Sequence, residues 1–236
     1  NVVEALGFRA SRAFDRLFDG CRADKGCNAS FPNLRDRFYR AVKRLDARPA
    51  RVTLRGGGGT TIVTVTGADL AQMLFGAMYS TANMVHLPSF IDAIARGNIN
   101  ALRALVPYSS VTGVQVGAGM YFSTICAEEV AFTTPDKLAD ATAQYPELES
   151  FLTDASLQDD RSICSRWPHA ALQAADVAAV KSDIPALILT GEYDPTTPPE
   201  WGALLENDLR NSYRFEFPGY GHGIVSADNA CAVKIL

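Results

Sequence analysis

The sequence predicts an α/β chain: a mostly helical stretch over residues 1–182 with one β-hairpin near 51–66, followed over residues 183–236 by two strand–helix units of a parallel sheet. Three observations predict it. Apolar residues recur at three- and four-residue steps through most of the first half, the spacing of one helical face. The period switches to alternation across residues 51–66. From residue 183, short apolar or alternating runs are interleaved with loop and helix signals, in the order strand–loop–helix–strand–loop–helix that a parallel sheet requires.

Residues 3–20 place Val3, Leu6, Ala10, Ala13, Phe14, Leu17 and Phe18 on one helical face, with Gly7 as a weak point that costs roughly 1 kcal/mol relative to alanine. Residues 33–46 repeat the pattern with Leu34, Phe38, Val42 and Leu45, leave Arg35, Asp36, Lys43 and Arg44 to the wet face, and stop before Pro49. Arg51–Arg55 and Thr60–Thr66 alternate around Gly56–Gly59, a hairpin. Those glycines are not a phosphate loop, because no Gly-Lys-Ser/Thr follows them. Thr66-Gly-Ala-Asp69 opens a helix through Leu70, Met73, Leu74 and Met78 with a variant capping box. The cluster Met73, Phe75, Met78, Tyr79 and Met84 reads as packing. Further helices are expected at 87–96, 98–105, 119–130, 135–143, 146–153 and 169–180.

Ile184–Thr190, bounded by Pro185 and Gly191, has the mostly apolar run of a strand buried on both faces. Thr197-Pro-Pro-Glu200 suggests a capping box with proline at the first helical position, opening a helix through Trp201, Leu204, Leu205 and Leu209. Tyr213–Phe217 alternates as a second strand, Pro218–Gly223 is a tight loop, and the remainder is helical.

Composition excludes several classes. With 47% hydrophobic and 20% charged residues the chain is neither disordered nor fibrous. A net charge of −4 argues against a nucleic-acid partner. No apolar stretch approaches the roughly 18–20 residues of a membrane span. The first residues carry no signal-peptide pattern, and the chain begins at Asn1, so a processed or partial chain is expected. No cofactor is implied. Cys21, Cys27, Cys126, Cys164 and Cys231 lack C-x-x-C spacing, and only His169 lies near one of them, so no metal site is expected. Cys21 and Cys27 flank a short polar loop ending in turn-prone Gly26 and could bridge, as could Cys126 and Cys164 across a larger loop; buried free thiols are the other reading. Disulfides would set the chain in an extracytoplasmic or secreted location. Cys231 is the odd one.

Two polar residues sit where ligands of open α/β sheets bind, beyond the carboxyl ends of strands. Asp194 follows the first strand and His222 the second, one strand–helix–strand unit apart, so adjacent parallel strands would bring them together. A buried carboxylate holding one imidazole nitrogen is what a histidine general base needs. Gly221 and Gly223 would let the loop turn tightly, and Pro195 would stiffen the acid loop. Taken singly, each residue reads as a turn-capping Asp or an exposed His; taken together they read as catalytic.

Leu187-Ile-Leu-Thr-Gly-Glu-Tyr-Asp-Pro-Thr-Thr-Pro-Pro199 and Pro218-Gly-Tyr-Gly-His-Gly223 resemble the C-terminal segment of α/β-hydrolases related to tripeptidyl aminopeptidases. Cys21 to Cys27 with Phe31-Pro32, and Phe122–Glu129, resemble that family's helical cap. The resemblance implies a partial α/β-hydrolase fold, Asp194 as triad acid, His222 as general base, and cleavage of short N-terminal peptides or of small esters and amides. It also makes Glu128 and Glu129 candidates for holding a substrate ammonium, beside their plain reading as surface or capping carboxylates.

One part of the pattern is missing. Such a hydrolase needs the G-x-S-x-G elbow that presents the serine, and the sequence contains none. Gly117-Ala-Gly119 lacks the serine, and Ser80, Ser109, Ser110 and Ser123 lack the glycines. By family order the nucleophile precedes the cap. The expectation is therefore a C-terminal portion that is inactive alone, with a sheet edge that either self-associates or pairs with an N-terminal hydrolase half. A non-catalytic hydrolase-like binding module is the alternative, as is an esterase.

Overall fold

A computed structural model describes residues 1, 3–56, 59–108, 117–153, 155–226 and 229–236; the hairpin tip at 57–58 and the excluded elbow serines Ser109 and Ser110 lie outside the described residues. The first helices are α1 (Leu6–Ala23), α2 (Lys25–Ser30) and α3 (Leu34–Ala47), followed by the hairpin β1 (Ala50–Gly56) and β2 (Gly59–Val65). Then come α4 (Gly67–Ala77), α5 (Thr81–Met84), α6 (Leu87–Ala95), α7 (Ile99–Leu105), α8 (Ala118–Glu128), α9 (Pro135–Ala143), α10 (Glu149–Leu152) and α11 (Ala155–Cys164). The chain finishes with β3 (Ala186–Gly191), α12 (Pro199–Glu206), β4 (Ser212–Phe217) and α13 (Ala230–Ile235).

The main core lies among the helices. α1 buries Ala10, Ala13, Phe14, Leu17, Phe18 and Cys21, and α3 buries Leu34, Phe38, Ala41, Val42 and Leu45. The rings of Phe14 and Phe18 meet Phe38 at 4.7 and 5.6 Å between centroids, offset contacts that add to their area burial. Between these helices and the rest runs α4, buried almost all round. Its start is fixed by a full capping box: the Asp69 N–H donates to Thr66 Oγ1 at 3.1 Å, and the Thr66 N–H donates to the Asp69 carboxylate at 2.7 Å. Met73, Met78 and Met84 are all buried in this core.

β1 and β2 pair antiparallel from Ala50↔Val65 to Gly56↔Gly59. β3 and β4 pair parallel from Ala186↔Ser212 to Gly191↔Phe217, and an isolated parallel bridge, Ser182↔Leu209, extends the pairing backwards. α12 covers one face of this sheet: at Gly202 the helix lies so close that an added Cβ would stand 2.9 Å from Thr190 and 3.2 Å from Ile188.

Four sequence expectations need correction. Residues 169–180 are irregular and largely exposed. Their alanines favour a helix, but Val177 and Val180 find nothing to pack on (41% and 73% exposed), and a short helix without a buried face is marginal in water. A helix forms instead at Ala155–Cys164, whose last residue is bonded to Cys126 of α8. The segment between Cys21 and Cys27 is not a loop: α1 runs to Ala23, breaks at Asp24, and α2 restarts under the Asp24 side chain, which accepts from the Cys27 N–H at 2.7 Å. Finally, β3 is covered by α12 on one face and only at its C-terminal end on the other, where Leu189 packs with Phe217, Ile224 and Ala232. Ile184 precedes the strand and is exposed, and Leu187, Tyr213 and Phe215 share an open face at 39%, 63% and 42% exposure. α12 ends at Glu206, because Leu209 is drawn into the bridge with Ser182.

Candidate active site

β3 and β4 end level with each other, Gly191 opposite Phe217, and a turn follows each strand. The two turns are in backbone contact. The Tyr193 N–H donates to the Tyr220 carbonyl at 2.8 Å and the Glu192 N–H to the Phe217 carbonyl at 3.1 Å. A Cβ on Gly191 would sit 2.1 Å from the Gly221 carbonyl and 2.6 Å from that of Tyr220, so only glycine allows this approach. Gly219 and Gly223 take positive φ (77° and 72°), which gives the histidine turn its shape. Gly221 serves by its small size instead: a Cβ there would meet the Met78 carbonyl at 2.8 Å.

These turns bring Asp194 and His222, 28 residues apart in sequence, to 2.9 Å between Oδ2 and Nδ1. Asp194 is 4% exposed. Its Oδ1 accepts the Thr196 and Thr197 N–H groups at 2.7 and 2.8 Å, and its Oδ2 accepts the Thr197 hydroxyl at 2.9 Å. Thr197 therefore does not cap α12 as its sequence context suggested; its hydroxyl is turned back onto the carboxylate, also 3.5 Å from His222 Nδ1. An ionised carboxylate only accepts, so Nδ1 must carry the proton and Nε2 is left as the acceptor.

The electrostatics follow. Burial pushes the Asp194 carboxyl up, but the bond from His222 and the Thr197 and Thr196 N–H groups outweigh it and hold it below its ordinary 3.8. The bond to Asp194 raises the His222 imidazole above its ordinary 6.5, with burial opposing in part. The helical body holds the ring from the other side. The His222 N–H donates to the Tyr79 carbonyl at 3.3 Å, the Gly221 N–H donates to Thr81 Oγ1 at 3.0 Å, and the Tyr79 ring packs edge-on to the imidazole at 5.4 Å. The Arg9 guanidinium lies over Trp201 at 5.9 Å. Burial lowers its pKa, while Tyr79, Asp194 and Glu129 act in the opposite sense.

Of the two acidic candidates, Glu129 is half-buried at the end of α8 and lies within the field of Arg9, whereas Glu128 is exposed on the last turn of that helix. Cys21–Cys27 and Cys126–Cys164 are disulfide-bonded, and Cys231 is an exposed free thiol. Among the described residues, no group of three or more His, Cys, Asp or Glu is placed to hold a metal, and no helix is long and apolar enough to cross a membrane. A cavity of about 650 Å3 opens elsewhere, between Val3, the first turn of α1 (Leu6, Gly7), α9 and α10, and neither Asp194 nor His222 lines it.

Sequence reading missed Thr197, Tyr79, Thr81 and Arg9. Only Thr197 had a local signal, since Asp-Pro-Thr-Thr is a sequence in which an aspartate side chain accepts from backbone two and three residues on.

Comparison with known proteins places the same region. Residues 149–236 match the family model described as TAP-like protein. The chain is similar to the serine protease Hip1 of Mycobacterium bovis and of two strains of Mycobacterium tuberculosis, 25% identical over 108 residues in each case. That stretch is 45% of this chain and 21% of the relative, so the match spans about a fifth of the relatives' length. A parallel strand pair, its connecting helix and the aspartate–histidine couple at the strand tips all lie inside the segment that matches the TAP-like family, and the chain has a partial α/β-hydrolase fold.

Proposed function

We propose that Asp194 and His222 are the acid and the general base of a serine peptidase that cleaves short peptides from the N terminus of its substrates. The observation that carries this reading is the 2.9 Å Nδ1–Oδ2 bond between side chains at the tips of neighbouring parallel strands. His222 Nε2 would take the proton of a serine hydroxyl as it attacks the scissile carbonyl. It would then return that proton to the leaving amine while Asp194 stabilises the imidazolium. Residues 1–182 act as the cap and 183–236 as the end of the catalytic core, with Glu128 and Glu129 as the candidates for contact with a substrate ammonium. The similarity to a serine protease favours a peptidase over an esterase.

The nucleophile comes from outside these 236 residues, which contain no G-x-S-x-G. The open face of Leu187, Tyr213 and Phe215, on a sheet of two strands, supports docking of a further hydrolase portion against β3 and β4 in preference to self-association. Two disulfides support an extracytoplasmic setting.

The test has two arms. The 236-residue chain alone should take no label from a fluorophosphonate probe; stoichiometric labelling would refute the division of the triad. Co-expressed with a polypeptide carrying the G-x-S-x-G strands of a TAP-like hydrolase, it should hydrolyse a peptidyl coumarin amide with a free N terminus. His222→Ala should abolish that turnover. Equal turnover in His222→Ala would remove the histidine from the mechanism, and a preference for an acetate ester would make the enzyme an esterase.

A further inference from the structure

We propose that Glu192 is the positioning residue of the Asp194–His222 pair, a joint that ties the acid turn, the histidine turn and helix α1 into one unit. The inference rests on reading that pair as an acid–base couple. Every polar group of Glu192 is used. Its N–H donates to the Phe217 carbonyl at the end of β4, and its carbonyl accepts Arg12 Nη1 at 3.0 Å. One carboxylate oxygen accepts Arg16 Nη2, and the other accepts the Gly219 N–H at 2.9 Å. Gly219 opens the turn at positive φ, three residues before His222. The contact with Arg16 crosses 176 residues and that with Gly219 crosses 27, so one side chain joins three distant parts of the chain.

Helix α1 is built to hold this joint. Arg9, Arg12 and Arg16 fall at three- and four-residue spacing, one helical face. Arg9 covers Trp201, Arg12 Nε meets Glu200 at 2.6–2.7 Å beside its contact with the Glu192 carbonyl, and Arg16 takes the Glu192 carboxylate. The Arg12 side chain is 11% exposed and that of Glu192 20%, so these charged hydrogen bonds are only partly open to water. With the side chain removed, the Gly219 N–H loses its acceptor, and on that side only backbone bonds, Glu192–Phe217 and Tyr193–Tyr220, join the acid turn to the histidine turn. An imidazole on a looser turn spends less time in line with Oδ2.

The experiment reads His222 directly and needs no turnover. The chain has three histidines, so ring-labelled protein gives three imidazole signals, with His222 assigned by His222→Gln. In the unsubstituted chain the His222 midpoint should lie above 6.5 with the proton on Nδ1. In Glu192→Ala the midpoint should fall toward 6.5, the tautomers should mix, and the Gly219 amide should exchange about tenfold faster. Glu192→Gln keeps an oxygen for Gly219 and should stay near the parent, and Arg16→Gln should fall between the two. Asp183→Asn, which breaks an exposed pair with Arg210, should leave the midpoint in place. A folded Glu192→Ala with the parental midpoint and tautomer overturns the proposal. If that variant does not fold, Arg16→Gln decides in the same way, and a parental titration there overturns it. A parental midpoint at 6.5 with mixed tautomers would take down the pair reading and this inference together, a result distinct from the loss of Glu192's role alone.

Discussion

Replacing Asp194 by asparagine keeps the side-chain volume and removes the charge, so it isolates what the carboxylate does. In the native chain Oδ1 accepts two backbone N–H groups, and Oδ2 accepts the Thr197 hydroxyl and His222 Nδ1–H. An amide keeps one oxygen for Thr196 and Thr197 but turns its NH2 toward Nδ1, donor against donor for the imidazolium and for the Nδ1–H tautomer, so the neutral ring keeps a weak contact only by moving its proton to Nε2. The charged histidine bond is lost, about 1.5–3 kcal/mol for a hydrogen bond to a charged group, and two backbone bonds fall to neutral strength at about half a kcal/mol each, giving a loss of about 3 kcal/mol. The pH dependence has a definite sign. His222 is held above its ordinary 6.5, so its share of the stability is fully present below pH 6.5 and is lost as the pH climbs through the raised value. Asp194 is held below its ordinary 3.8, so its share is present above pH 3.8 and is lost as the pH falls through the depressed value. The native advantage over Asp194→Asn should therefore peak between pH 3.8 and 6.5 and shrink on either side. Urea unfolding followed by circular dichroism at about pH 5, 7 and 9 measures it. A difference below about 0.5 kcal/mol, or one that is flat across the three conditions, would refute the reasoning.

The two disulfides should differ in weight. Their separations of 6 and 38 residues give about 2 and about 4 kcal/mol by loop-closure entropy, so Cys126→Ser with Cys164→Ser should lower the urea midpoint more than Cys21→Ser with Cys27→Ser. Gly191→Ala would drive a methyl group into the Tyr220 and Gly221 carbonyls, and should cost about 3 kcal/mol and disturb the His222 titration; a neutral result in a thermal melt would contradict the close approach of the two turns. Asp92 is 1% exposed between Arg37 and Arg96, whose side chains are 25% and 68% exposed. Arg37→Ala should cost about 3 kcal/mol by leaving a buried charge poorly paired, and Arg96→Ala less than about 1, read by chemical denaturation.

What the sequence made legible was mostly local. Leu6–Ala23 and Leu34–Ala47 lie close to where helical spacing put them, because each buries one continuous face and that face is written in the spacing itself. The hairpin and the Thr66–Asp69 box are local for the same reason. The failures are those in which a distant partner decides. Residues 169–180 have helical composition but no surface to bury against, while Ala155–Cys164 is tied through Cys164 to a residue 38 positions away. Thr197 had two chemistries open to it, capping α12 or donating to Asp194, and the carboxylate three residues before it took the hydroxyl.

The candidate site divides along the same line. Asp194 and His222 could be read from sequence because a parallel strand pair converts order along the chain into neighbourhood at the strand tips: once Ala186–Gly191 and Ser212–Phe217 pair in register, the residues just beyond them must meet. No such rule predicts what surrounds them. Arg12 and Arg16 lie off the apolar face of α1, and their spacing suits a solvent-facing stripe as well as a docking face. Their partners stand 176 to 188 residues away, and nothing in a three- or four-residue period states which surface a helix will lie against. Tyr79 and Thr81 have the same property, since they meet the histidine turn only because the end of α4 is laid beside it. Local rules thus specify the aspartate and the histidine, while the groups that hold them in place are supplied by the docking of the helical body. Substitutions on α1 and at the end of α4 should accordingly reach His222 without touching the strands that carry it.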